Sequence, residues 1–401
     1  MKTSHNGRDA SRSLAMVIAL AVLIGLNLRP SMAAIGPLIE RIQADITASY
    51  AQIAWLTSLP VLAMGLGCFI ALRLAQRMGY SALIGVSLLL IALADGLRLT
   101  SESVASLLLT ALAAGIGIAF IQASMPALIK HQAKQQTPLV MGWYIAAIMA
   151  GAALSSTLAP RLADISGNWR HGLAIWGLLA LLAATAWGLR GQILPAPVTA
   201  RSQGAPQVSL YRQPRVWTLA CFFGMGTAGY TCVLAWLPPY YIGLGWSDSR
   251  AGTLLGFLTA IEVVSGLLLP ALAQRQDDRR PVIFLALILS MAGFVLLALA
   301  PLRLPYLTAA LLGAGIGGLF PLSLIVAIDH HSSPQRAGAI SSIVQGSGYF
   351  IAAMSPFAAG MVRDQLGSFA LAWASLAVMM LVMMRVCVQF DPRNYQWVIR
   401  D

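Results

Sequence analysis

Two residues in this sequence carry charge where charge is costly: Arg29, in the run LNLRPSMAA, and Glu262, flanked by Ile261, Val263 and Val264. Arg29 lies about fifteen residues into an apolar run that begins near Leu14, roughly 22 Å along a helix rising 1.5 Å per residue. A charge at that depth of hydrocarbon costs at least about 2.5–3.5 kcal/mol on insertion scales. Arg29 is therefore expected to face a wet cavity or a partner, with snorkelling to the surface as the bland alternative. Its planar fork of donors suits a small anion. Pro30 lacks a backbone N–H and is expected to kink the span, freeing carbonyls beside the guanidinium. Asn27 adds a neutral donor two residues away, on a different side of the helix.

Glu262 has three readings. It pairs with a cation such as Arg29; it is protonated part of the time because burial disfavours its charged form, the property a proton-coupling residue needs; or it only bonds a neighbouring helix. Asp95, with Arg98 one turn later, reads as an interfacial helical pair. Asp329, His330 and His331 read as a solvated helix end, although a histidine titrating near neutrality would also make a pH sensor.

Other chemistries lack their signals. Cys68, Cys221, Cys232 and Cys387 are scattered through apolar runs, and no His-Glu-x-x-His, Walker A or Gly-x-Ser-x-Gly sequence occurs. No metal, cofactor or catalytic set is expected, and the chain does not read as an enzyme. The glycine patterns GMGTAG (224–229) and GAGIGG (313–318) lie inside apolar runs and read as small faces for close helix packing.

The elements that must hold Arg29 and Glu262 can be read from composition. Of 401 residues, 58% are hydrophobic and 10% charged, against about 25% charged in globular domains. At roughly 20 residues per crossing, the length holds about twelve spans. They are predicted near 14–39, 50–73, 81–99, 104–128, 137–162, 172–190, 215–243, 250–272, 281–301, 304–328, 336–361 and 369–389. The first reads as a retained helix rather than a cleaved leader, since no small-residue cleavage pattern precedes Arg29. The net charge of +12 comes from basic residues in the short gaps, so lipid rather than nucleic acid is the expected partner. Eighteen of the 26 fall on the side that holds both termini, seven on the other, and Arg29 within a span, which predicts cytoplasmic termini in a bacterial inner membrane.

The expected organisation is a tail over 1–13, a six-helix bundle over 14–191, a Pro- and Arg-rich linker over 192–214, a second bundle over 215–389 and a tail over 390–401. Internal similarity supports two halves. RLAQR at 73–77 recurs as ALAQR at 271–275, and GIG with a following Phe and His at 115–131 recurs at 315–331. Asp164 and Asp364 share the second spacing. The predicted fold is an all-α membrane protein with twelve transmembrane helices in two pseudo-symmetric six-helix bundles, and a site near midplane between them.

The loop ALRLAQRMGY (71–80) resembles the cytoplasmic signature of the major facilitator superfamily, with Arg77 and Gly79 in place and Gln76 where the family usually has Asp. GLNLRP (25–30), GIAFIQASMPALIK (117–130), TPLVMG (137–142), WLPPY (236–240) and QRQDDRR (274–280) resemble its cyanate permease and nitroimidazole transporter branch. The resemblance implies a secondary transporter moving a small solute by alternating access, as a monomer. An anion such as cyanate or a small carboxylate, carried by a proton symporter, is the first reading; efflux of a small neutral or aromatic compound is the second. Span five, GAALSSTLAP at 151–160, departs from the glycine-rich pattern of many superfamily antiporters. In this superfamily spans one, four, seven and ten line the cavity. Gln122, Tyr230 and Trp236 therefore join Arg29 and Asn27 as solute contacts, with interfacial belts as the alternative for Trp236 and Tyr240. Trp55, Thr57, Tyr144 and Gln345 are secondary candidates. Arg73, Arg77, Arg275 and Arg279 are assigned to conformational gating loops.

Overall fold

A computed structural model describes residues 3–190, 210–331 and 334–395, and every regular element among them is helical. Most of the expected linker lies outside the described residues, as do residues 396–401 of the expected tail. The first helix, α1 (Thr3–Gly25), reaches back into the expected N-terminal tail. It stops well short of the predicted span end near residue 39, because Pro30 and Pro37, without N–H groups, interrupt the helix beyond it. After α1 come α2 (Pro30–Ala33), a 3-10 turn at Gly36–Leu38 and α3 (Ile39–Asp45). Between α1 and α2, Asn27 and Leu28 donate to Ile24 (3.1 Å) and Gly25 (3.0 Å), tightening the last turn to i→i+3 bonds.

The remaining helices of the first half are α4 (Tyr50–Met78), α5 (Tyr80–Leu97), α6 (Val104–Ala133), α7 (Thr137–Ser166) and α8 (Trp169–Arg190). The second half has α9 (Pro214–Gly243), α10 (Asp248–Gln274), α11 (Arg280–Leu299), α12 (Pro305–Asp329), α13 (Pro334–Leu366) and α14 (Ala370–Cys387). Local signals set the ends. A capping box joins Ser49 and Gln52 at the start of α4, and Gly79, at φ +82°, turns the chain from α4 into α5.

Eleven helical segments among the described residues are long and apolar enough to cross a membrane. The twelfth crossing, α13, has 33 residues and is less apolar because Gln335, Arg336, Ser341, Ser342, Gln345 and Ser347 lie along it. It packs between α4 and α9. Twelve crossings bring both chain ends to one side, the terminal side; the loops at 45–50, 166–169, 243–248 and 366–370 lie on the other, distal side.

The two halves meet along two seams, α4 with α13 and α7 with α10, while α9 also packs on the Gly36–Leu38 turn. The 313–318 glycine pattern is a close-packing face, as is Gly115, whereas in the 224–229 pattern Gly224 is tight and Gly226 and Gly229 make ordinary contacts. A Cβ at Gly115 would lie 2.4 Å from Pro60 Cα, one at Gly315 would lie 2.2 Å from Ser290 Oγ, and one at Gly317 would lie 2.6 Å from the Glu262 backbone. Substituents there would force the helices apart.

Candidate functional site

Arg29 occupies the N-cap position of α2, without a side-chain cap, and stands midway along the broken first span, 5% exposed. Pro30 fixes the turn beyond it, and on the near side the Asn27 amide donates to Leu23 O (2.7 Å). Asn27 is thereby committed to its own helix end. The Arg29 guanidinium lies 5.3 Å from the centre of the Tyr230 ring, in cation–π range, with Nη1 3.9 Å from Sδ of both Met32 and Met64. Among the described residues no carboxylate lies within 4.0 Å of it, and its Nε has no hydrogen-bond partner. The guanidinium does not snorkel.

Its charge acts on Tyr144, Tyr230, Tyr349 and Glu262, from α7, α9, α13 and α10. With Met64 on α4, the surroundings draw on both halves. Glu262 is 3% exposed, midway along α10, and neither carboxylate oxygen has a hydrogen-bond partner among the described residues. In this conformation it makes neither a direct pair with Arg29 nor a bond to a neighbouring helix. Gly317 presses α12 against its backbone and shuts out lipid on that side. Tyr144 Oη, Tyr230 Oη and Gln122 Oε1 are likewise buried without partners. Native interiors leave few such groups, and three of the residues that carry them, Tyr144, Tyr230 and Glu262, lie within the electrostatic reach of Arg29.

Other sequence candidates are used elsewhere. Trp236 is fully buried, its ring tilted against those of Tyr50 and Phe369, and its indole N–H donates to Pro356 O (2.8 Å). Tyr240 donates to Leu297 O (3.0 Å) inside the same aromatic cluster rather than in a belt. Trp55 packs on Phe357, Thr57 is buried, and Gln345 donates to Ser341 of its own helix. Met32, Met64 and Tyr349 surround Arg29 and are missed by sequence reasoning. Met64 alone has a signal: the 198-residue offset that relates Ser49 to Ser247 carries Glu262 onto it.

The loop arginines behave unequally. Arg279 pairs with Asp329 (3.2 Å) and donates to the carbonyls of Ala273 and Gln276, whereas Arg73 and Arg77 are exposed and reach no carboxylate among the described residues. Arg275 caps α10 through its backbone. Both loops carry Gln at the equivalent position (Gln76 and Gln274), and among the described residues only the second has the Arg279–Asp329 latch.

Two expectations are corrected. Asp95 and Arg98 are each 1% exposed rather than interfacial, because Gly177 of α8 packs over them; Arg98 Nη1 lies 3.1 Å from Asp95 Oδ1. His330 is buried rather than solvated, stacked on Tyr395 at 4.1 Å between Arg215 and the carbonyl of Val326. Arginine only donates, so its 3.0 Å bond from Nε makes His330 Nε2 an acceptor and leaves Nδ1–H for Val326 O (2.7 Å). Burial, with Arg215 adding to it and the Val326 bond opposing, pushes the imidazole down to about 4, so it stays neutral through physiological pH.

On the distal side Arg41 bridges Asp164 (2.6 Å) and Asp248 (2.5 Å), joining α3, α7 and α10, while Asp364 accepts from the backbone N–H groups of Tyr50 and Ala51. The halves are therefore clamped together on that side.

Residues 15–356 match the Major Facilitator Superfamily. The chain is 37% identical over 384 residues to the cyanate transport protein CynX of Escherichia coli (strain K12), covering 95% of this chain and 99% of that protein. It is 28% identical over 368 residues to a 2-nitroimidazole transporter of the same organism, covering 92% and 93%. Among solved structures it resembles a D-xylose-proton symporter (TM-score 0.77, 15% identity, 94% of this chain and 98% of that one). It also resembles a bacterial homolog of the human lysosomal transporter Spinster in an inward-facing, unoccupied conformation (TM-score 0.76, 16% identity, 97% and 98%).

Proposed function

The chain belongs to the Major Facilitator Superfamily, a family of membrane transporters rather than enzymes, and from that premise we propose that it carries a small monovalent anion together with a proton. Cyanate is the first candidate and a small carboxylate the second. The observation that carries the reading is Arg29, a buried cation at mid-depth with no carboxylate against it among the described residues. One positive charge matches one negative charge. Its walls are an aromatic face and two thioethers, polarizable groups that suit a weakly hydrated anion better than a strongly hydrated one.

Glu262 supplies the coupling in this reading. Ionised, it competes with the anion for the field of Arg29; protonated, it lets the anion in. The solute and the proton then cross together as the halves rock, in a bacterial inner membrane with both termini cytoplasmic. Arg29, Tyr230 and Gln122 contact the solute, Asn27 steadies the helix break, and the 73–77 and 275–279 loops gate the terminal side.

Counterflow of labelled cyanate in proteoliposomes tests the binding role. Arg29→Ala is expected to lower exchange at least 100-fold, and undiminished exchange would remove Arg29 from the site. The faces of Tyr144, Tyr230 and Tyr349 favour a second reading, export of a flat aromatic such as 2-nitroimidazole. Exchange of that compound without cyanate exchange by the parent protein would establish it instead.

A further inference from the structure

We propose that Asp95, held in place by Arg98, is a positioning residue that fixes Arg29 through Ser31. This rests on the reading of Arg29 as the anion ligand. Arg29 sits in a break, and both sides of a break need an external anchor if the side chain within it is to keep one direction. On the α1 side, Asn27 ties back to Leu23, and Gly151 of α7 lets that helix close on Leu26, whose carbonyl would lie 2.3 Å from a Cβ there. On the α2 side, the four residues Pro30–Ala33 have one side-chain hydrogen bond to another helix among those described, from Ser31 Oγ to Asp95 Oδ2 at 2.8 Å.

Ser31 is fully buried and only Pro30, with its fixed φ, separates it from Arg29, so a shift of Ser31 moves the Arg29 backbone with it. Asp95 is itself immobilised. Its other oxygen faces Arg98 Nη1 at 3.1 Å, and Arg98 Nε donates to Thr110 Oγ1 at 3.4 Å. A buried ion pair is a poor way to gain stability, since apolar residues of similar volume often do as well. What it does provide is a charged acceptor at one fixed point, and a hydrogen bond to a charged group is stronger than one between neutral groups. The cross-helix chain Arg98, Asp95, Ser31 ends two residues from the guanidinium.

Cyanate exchange measured against concentration in proteoliposomes tests the chain. Ser31→Ala cuts the link and leaves the ion pair whole; it is expected to raise the half-saturating concentration about tenfold while the maximal rate and the melting temperature stay near parental values. Ser31→Thr keeps the hydroxyl and is expected to restore the half-saturating concentration. Asp95→Asn alone strands Arg98 and is expected to accumulate poorly. The double variant Asp95→Asn with Arg98→Met keeps an oxygen for Ser31 without a buried charge, and is expected to recover both accumulation and affinity. An unchanged half-saturating concentration in Ser31→Ala overturns the proposal. The two failures separate cleanly: if Arg29→Ala transports normally, the anion site itself is wrong, whereas a dead Arg29→Ala beside an unaffected Ser31→Ala refutes the positioning chain only.

Discussion

Where α4 meets α13, Asp364 accepts hydrogen bonds from the backbone N–H groups of Tyr50 (3.0 Å) and Ala51 (2.9 Å). Where α7 meets α10, the repeat-related Asp164 reaches no such amides among the described residues and pairs with Arg41 instead. The first residue of α10 is Asp248, where α4 has Tyr50, so two carboxylates converge on that corner and Arg41 bridges them. One seam is thus closed by a helix N-terminus, the other by an ion triad. The seams also differ in depth. Contacts between α4 and α13 run from Tyr50 past Trp55 to Gly65 and Phe69, while the close glycine contacts of α10 on α7, at Gly252 and Gly256, stay in its distal half, short of Glu262. Nearly the same backbone frame therefore holds one continuous seam and one that tightens only on the distal side, next to the carboxylate assigned to proton transfer.

Substitutions that separate the seams put the comparison at risk. The largest effect is expected from Gly252→Ala, whose Cβ would stand 2.1 Å from the backbone oxygen of Ser156, an atom that cannot turn aside. Exchange should fall at least tenfold. Gly346→Ala, on the other seam, meets the Phe69 ring at 2.3 Å, and a ring can rotate; a loss of a few fold is expected in the same assay. Comparable losses from both would erase the distinction.

Smaller effects should track the chemistry of each clamp. Arg41→Ala removes two partly exposed pairs, worth about 0.2–1 kcal/mol each at most, and leaves Asp164 and Asp248 facing one another. Spin-label distances across the distal side should shift toward the open state by about fivefold in population, with salt making the same shift in the parent protein. Asp364→Asn keeps an oxygen for the Tyr50 and Ala51 amides and should move those distances less, by about 0.5 kcal/mol, with little response to salt.

Much of this is legible without the fold. Apolar run length gives the crossings, and the cost of a charge in hydrocarbon draws attention to Arg29 and Glu262, because those are effects of single residues in a known solvent. Pro30 announces the break. The features that resist reading depend on which faces meet. Trp236 looks like a solute contact from its span, yet its one donor is taken by Pro356. Asp95, with Arg98 three positions on, reads as interfacial, and only the approach of α8 at Gly177 shows the pair to be sealed. His330 sits beside polar neighbours at a helix end, and the folding back of Phe390 and Tyr395 buries it. Met64 carries no polar signal and becomes informative only as the repeat partner of Glu262.

Transport in this scheme turns on a division of labour at mid-depth, with Arg29 taking the anion and Glu262 taking the proton. It is tested most directly by loading proteoliposomes with a pH-sensitive dye and tracking cyanate and protons together, in parent protein and in Glu262→Gln. The parent is predicted to accumulate cyanate when a proton gradient is imposed and to acidify the lumen as it does so, whereas Glu262→Gln should still exchange cyanate but accumulate none. Gradient-driven accumulation by Glu262→Gln at the parental level would contradict the scheme.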